Sequence, residues 1–344
     1  MKEIMKKLIP VCMVFVFTVN AYAAFGGAAA LKKGVGARAL GMGGAFTSIS
    51  NDTSAIYWNP AGLGQVQDYS VTVMGSAGAR DEWPGQKDVI PSHNFFAVSA
   101  PASKFTDSLR GSVFAVGLIN SSMDNVTKSD DDGNEYASFS APQNAIYFSW
   151  GMPVWESNTN LYIGASFKYI METMEGIDGG SASGYDIDAG VLYNVFETLN
   201  FGLFIGKGAV MSWDGGTDTA ALTAKFGISN TFSLTEKLSI LGSADIIQRQ
   251  SEPVLANVGL EFACLNIYDA GDFGLSGLYL RGGAESIALE NRYGIRDEIN
   301  KNITYAVGFG IDMTVFGKYL QIDYAMGMGN SLDQQSKISI NFYF

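Results

Sequence analysis

From Tyr69 onward, apolar and polar residues alternate with a period of two, the spacing of strands that show a different face to each side of a sheet. The clearest run is 302–313. Ile303, Tyr305, Val307, Phe309, Ile311 and Met313 share one face there, and Thr304, Ala306, Gly308, Gly310 and Asp312 share the other. The following run repeats it, with Leu320, Ile322, Tyr324, Met326 and Met328 alternating with Gln321, Asp323, Ala325 and Gly327. Tyr185, Ile187, Ala189, Val191 and Tyr193 form the apolar face of 184–195. The pattern predicts about 14 strands of roughly 9–12 residues, the length that crosses a bilayer when tilted. They fall at 69–77, 92–100, 111–120, 143–151, 160–171, 184–195, 200–211, 220–232, 237–248, 253–264, 276–286, 302–313, 318–329 and 335–344.

A single alternating strand is weak evidence, but the length of this series and its ending make it strong. Lys337 to Phe344 (KISINFYF) places Ile338, Ile340, Phe342 and Phe344 on one face and Ser339, Asn341 and Tyr343 on the other, and stops on an aromatic. That ending looks like the closing strand of a bacterial outer-membrane β-barrel, with Phe342 and Phe344 as its assembly signal. Gaps after odd-numbered strands are long (78–91, 121–142, 172–183, 287–301), and several after even-numbered ones are short (196–199, 233–236, 314–317). Long external loops and short periplasmic turns have this arrangement, which puts both termini in the periplasm. The even gaps 101–110 and 265–275 are longer than the rule prefers. The expected fold is all-β, a transmembrane antiparallel outer-membrane β-barrel over 67–344.

Composition fits this picture. Glycine (41 of 344 residues) and aromatics (12%) are abundant, and the apolar share of 47% is moderate because only every second strand residue meets lipid. Lys2, Lys6 and Lys7, an apolar stretch from Leu8 to Val19 and Ala21-Tyr22-Ala23 predict a signal peptide over 1–23, cut before Ala24. Its removal takes away three lysines and one glutamate, and the formal charge goes from −12 to −14. That balance, without a basic patch, argues against nucleic acid. Cys264 alone remains after cleavage, so an intrachain disulfide is excluded.

Residues 24–66 break the alternation. Gly36, Gly41, Gly43 and Gly44 allow tight backbone packing and positive φ. Asp52 or Thr53 is placed to cap a short helix through Tyr57, and Asn59-Pro60-Ala61-Gly62 reads as a turn. A non-strand segment cannot lie in lipid with unpaired backbone groups. It is expected to fold inside the lumen or in the periplasm, and a plug domain ahead of the barrel is the favoured reading.

Here the chain resembles a known family. Gly36-Ala37-Arg38-Ala39, Gly41-Met42-Gly43-Gly44-Ala45, Asn51-Asp52, Ser54-Ala55 and Tyr57-Trp58-Asn59-Pro60-Ala61-Gly62-Leu63 look like the N-terminal signature of PorV/PorQ outer-membrane proteins. These proteins are themselves similar to FadL-type transporters. The resemblance covers under a tenth of the chain and implies a 14-strand barrel with an N-terminal hatch. PorV-type membership implies protein secretion of the type IX kind, with secreted cargo and secretion subunits as partners. FadL-type membership implies passage of hydrophobic small molecules instead. A passive structural barrel is the third reading. In each case outer-membrane lipid and the barrel-assembly machinery are expected partners. The longest external gap holds Asp130-Asp131-Asp132-Gly133-Asn134-Glu135 where FadL-type loops are greasy, a departure that favours protein partners.

The inward faces are expected to carry Lys168, Asp186, Asp188, Lys225, Asp245, Glu261, Arg281, Asp312 and Asp323, pairing with one another and hydrating the lumen. Arg38 is expected to dock on an inward acid such as Asp312 or Asp323, and Trp58 to pack within the plug. The acidic run at 130–135 lacks the spacing of a calcium loop and reads as a solvated loop. No strand precedes Gly41–Gly44, so these glycines are not a dinucleotide site. His93, the one histidine, has no evident nucleophile or acid beside it. No enzyme activity, cofactor or metal is expected.

Overall fold

The computed structural model describes residues 33–344 except 79–80, 84–85, 107–108, 110, 125, 130–134, 156–157, 175, 177–178, 197, 290–302 and 330–334. The expected signal peptide, the start of the expected plug domain and most of the acidic run lie outside the described residues.

Fourteen antiparallel strands close into a barrel. They are β1 Ser70–Gly78, β2 Gln86–Pro101, β3 Val113–Asp124, β4 Gln143–Trp155, β5 Asn158–Thr173, β6 Ser181–Asn194, β7 Leu199–Gly206 with its continuation Val210–Trp213, and β8 Thr223–Ser233 preceded by Gly216–Thr219. The wall continues with β9 Leu238–Arg249, β10 Leu255–Asp269, β11 Phe273–Ala288, β12 Thr304–Val315, β13 Lys318–Met328 and β14 Gln335–Tyr343. Each pairs with its neighbour in sequence, and the seam is made by β1 on β14, from Ser70 opposite Tyr343 to Gly78 opposite Gln335. At the seam's lower end Phe344 N donates to Tyr69 O (3.0 Å), and its ring stacks on Tyr69 and Phe342. Phe342 and Phe344 both face outward.

The strand count agrees with the alternation, and the differences lie at strand ends. Strand β7 is interrupted at Lys207–Ala209, where Gly208 takes φ 92° and leaves no room for a Cβ beside Ala220 O. Beyond the break, Val210–Trp213 and Gly216–Thr219 pair as a hairpin that carries on past the expected strand end at 211. The long gap expected at 265–275 shrinks to a turn at 270–272, because β10 and β11 stay paired through register shifts near Leu265 and Leu275. Residues in such extensions are exposed or half-exposed on both faces, so no strict alternation marks them.

The lumen holds residues 33–66, hereafter the inner segment. It comprises α1 Ala37–Gly41, α2 Ala55–Trp58 and a 3-10 helix Pro60–Gln65. Met42, Phe46, Ile56 and Leu63 of this segment are fully buried, in one apolar cluster with Met74, Phe95, Ile119, Tyr147 and Ile170 of β1–β5. The inward charges named from the sequence, Lys168 to Asp323, lie on β5, β6 and β8–β13, and the β1–β4 side of the wall meets the segment with a largely apolar half-core.

Candidate functional site

The inner segment is shaped by its own local hydrogen bonds. Gly36 (φ 85°) leads into α1, and Gly43 and Gly44 (φ 59° and 68°) turn the chain out of it, conformations that a Cβ disfavours. Helix α2 begins after Ser54. Asp52 is not its cap but holds the preceding turn, accepting from Ser54 N at 2.8 Å. Asn59 caps the 3-10 helix by accepting from Ala61 N (3.2 Å), and its Nδ2 donates to Thr47 O (2.9 Å) and Val191 O (3.1 Å). One buried amide therefore joins three stretches of chain. Trp58 donates from Nε1 to Val35 O (2.9 Å) and meets Phe46 and Tyr57 edge to face. Burial pushes the Tyr57 phenol up to about 12, so it stays neutral.

The segment reaches the wall through backbone as well as side chains. Inward Gly164, Gly190, Gly202 and Gly259 face Pro60, Asn59, Thr47 and Met42 so closely that any Cβ on the wall would overlap them. Gly62 has the same relation to Ser50 O within the segment. At its start, Lys337 Nζ donates to Lys33 O (2.8 Å) and Gly34 O (3.1 Å), and His93 Nε2 donates to Gly34 O (2.8 Å). Ala37 N donates to Ser339 Oγ at 2.7 Å. The sequence reading did not single out Lys337 as a clamp or the stripe of inward glycines as a seat. Inward glycines on neighbouring strands were the signal that could have found that seat.

Asp245 provides the most concentrated anchor. Its Oδ2 accepts from Phe46 N (3.0 Å), Thr47 N (3.0 Å) and Thr47 Oγ1 (2.6 Å), all buried. Asp245→Ala leaves the buried Thr47 N–H and hydroxyl without this acceptor, Phe46 N keeping Gly44 O (3.0 Å), and is expected to lower stability by roughly 2–4 kcal/mol. This is read as a lower urea midpoint in detergent micelles. An unchanged midpoint would show that the segment does not depend on this anchor.

The remaining charges form two networks. Arg281, almost fully buried, donates from Nε to Glu261 Oε2 (2.6 Å) and from Nη1 to Asp323 Oδ1 (2.6 Å). Arg38 docks on Glu261 (Nε to Oε2, 3.2 Å) and on Asn51 Oδ1 (2.9 Å), not on Asp312 or Asp323. The reason is that Asp323 is taken by Arg281, and Asp312 accepts from the phenols of Tyr279 and Tyr319. Burial opposes the Arg38 charge, but Glu261, Asp52 and Asp323 more than offset it, so its pKa lies above the usual arginine range. In the second network Lys168 lies 2.8 Å from both Asp186 and Asp188. Lys225 stands over the rings of Tyr57, Trp58 and Phe204. No cluster of three or more His, Cys, Asp or Glu able to hold a metal occurs among the described residues.

No protein-family model and no curated protein sequence matches the chain. Solved structures do match. The toluene transporter TodX of P. putida superposes with TM-score 0.55 at 12% identity, over 91% of this chain and 99% of that one. The toluene transporter TbuX of Ralstonia pickettii gives TM-score 0.52 at 12% identity, over 90% and 97%. A Pseudomonas aeruginosa FadL homologue gives 0.50 at 12%, over 88% and 97%. The first two are described as toluene transporters. At this identity the likeness establishes a shared fold, that of the FadL/TodX-type outer-membrane β-barrel.

Proposed function

We propose that this chain is an outer-membrane channel for apolar small molecules, with the inner segment as a displaceable plug. One observation carries the reading: the barrel is filled by a segment of its own chain, continuous with β1 and seated by hydrogen bonds and close contacts without any covalent cross-link to the wall. A passive structural barrel does not need a filler of that kind, whereas a channel that must keep water-soluble compounds out does. The similar structures, named as toluene transporters and monoaromatic hydrocarbon channels, support the same reading.

The secretion reading rests on the resemblance of Gly36–Leu63 to PorV/PorQ proteins and gains nothing from these comparisons. The two separate in a direct test. Cells lacking a hydrocarbon channel of their own are given this chain, and uptake of labelled toluene is measured against an empty-vector control. Faster uptake is expected. Uptake at the control rate, with secreted proteins co-purifying near stoichiometry, would replace the channel reading with the secretion one.

A further inference from the structure

Among the strand-borne inward cations of the described residues, all but Lys225 are met by oxygen. Lys168 has Asp186 and Asp188, Arg281 has Glu261 and Asp323, Arg249 has Glu252 (3.1 Å), and Lys337 has two carbonyls. Lys225 has neither a hydrogen bond nor a carboxylate within the 4.0 Å of an ion pair among the described residues. Its ammonium lies 5.0 Å from the ring centroids of Trp58 and Phe204 and 5.7 Å from that of Tyr57. Asp188 and Asp245 act on it only from beyond 4.0 Å, Asp188 being paired with Lys168 and Asp245 Oδ2 taken by Phe46 and Thr47. An ammonium taken out of bulk water is strongly favoured to find an anion, and ring faces replace only part of its hydration.

Position adds to chemistry. Lys225 pairs across the wall with Phe204 and Ile247, and β9 rises from Leu238 to Arg249, so the cation lies toward the long-loop end of the lumen. Trp58 and Tyr57 belong to α2, so the cage is built half from the wall and half from the inner segment. Lys225 and Tyr57 are only partly buried. A cation with no carboxylate in contact thus stands among three flat apolar faces at the junction where the segment would have to part from the wall.

We infer that Lys225, Tyr57, Trp58 and Phe204 form a binding site for an aromatic monocarboxylate, the carboxylate accepting from the Lys225 ammonium and the ring packing among the three aromatic side chains. This rests on the channel reading and narrows it, since such a ligand carries one negative charge that a plain hydrocarbon lacks. Occupancy would draw the ammonium off the rings of α2 and so weaken a contact that ties the segment to β8.

The test is calorimetric titration of the full-length protein in detergent with phenylacetate, its uncharged isostere phenylacetamide, and octanoate. The wild type is expected to bind phenylacetate more tightly than phenylacetamide by roughly tenfold or more, the difference made by one charge-assisted hydrogen bond away from bulk water. Lys225→Met should abolish that preference and Lys225→Arg should keep it. Equal affinities in the wild type, or a preference surviving in Lys225→Met, overturns the proposal. Octanoate binding as tightly as phenylacetate overturns its aromatic part. Should no carboxylate bind while labelled toluene still enters cells, this site fails and the channel reading stands. Failure of toluene uptake as well removes both.

Discussion

Replacing Gly164 and Gly190 together by valine is expected to turn the barrel into a leaky pore. Both glycines face inward on adjacent strands, β5 and β6, paired directly with each other. A side chain at Gly164 would overlap Pro60 and Ala61, and one at Gly190 would overlap Asn59 and lie about 3.1 Å from Pro60 Cδ. Wall strands tolerate valine better than glycine, so the change should favour the barrel while denying the Asn59–Ala61 corner its seat. Without that corner Asn59 also loses its donation to Val191 O. A barrel of this size with its filler displaced holds water, and single-channel conductance in a planar bilayer should rise roughly tenfold or more over the wild type. A correctly folded double variant with wild-type conductance would show that the seat is not what keeps the lumen shut.

Arg281→Met should give the largest loss of stability. Arg281 is matched to Glu261 and Asp323, and removing it leaves both carboxylates in a water-poor lumen. Breaking a buried ion network from one side is expected to reduce stability by about 3–5 kcal/mol. Arg38 still reaches Glu261, so most of the effect falls on Asp323. Combining Arg281→Met with Asp323→Leu should therefore recover a good part of the loss. Urea unfolding in lipid vesicles measures both variants. Single and double variants unfolding at the same midpoint would contradict the pairing.

The wall of this protein is largely written in its alternation. Wherever one face meets lipid and the other the lumen, as in 302–313, each residue declares its side, and the structure has the same faces outward. Legibility ends where that two-sided environment ends, at the hairpin beyond Gly208 and the paired extensions of β10 and β11. The inner segment was visible as a break in the pattern, but its partners were not. Ala37 and Ser339, which share a hydrogen bond, are 302 positions apart, and nothing local encodes such a contact. The choice of Glu261 by Arg38 shows why. Gly310 leaves the space through which Arg281 reaches across β12 to Asp323, since a Cβ there would overlap both groups. Which acid remains for Arg38 is therefore settled by strand register and by a missing side chain, not by charge pattern.

The seam between the first and last strands has a bearing on how the molecule is made. Gly36 N donates to Met74 Sδ on β1, Ala37 N to Ser339 Oγ on β14, and Lys337 of β14 grips the carbonyls just before them. The same few residues thus touch both edges that must meet for closure. An open sheet whose two edges are bridged from within does not have to find its register by edge pairing alone. The amino-terminal stretch fastens the first strand to the last from the inside, in addition to the ladder of backbone bonds between them, and the closed ring is held at its joint by three pieces of chain instead of two.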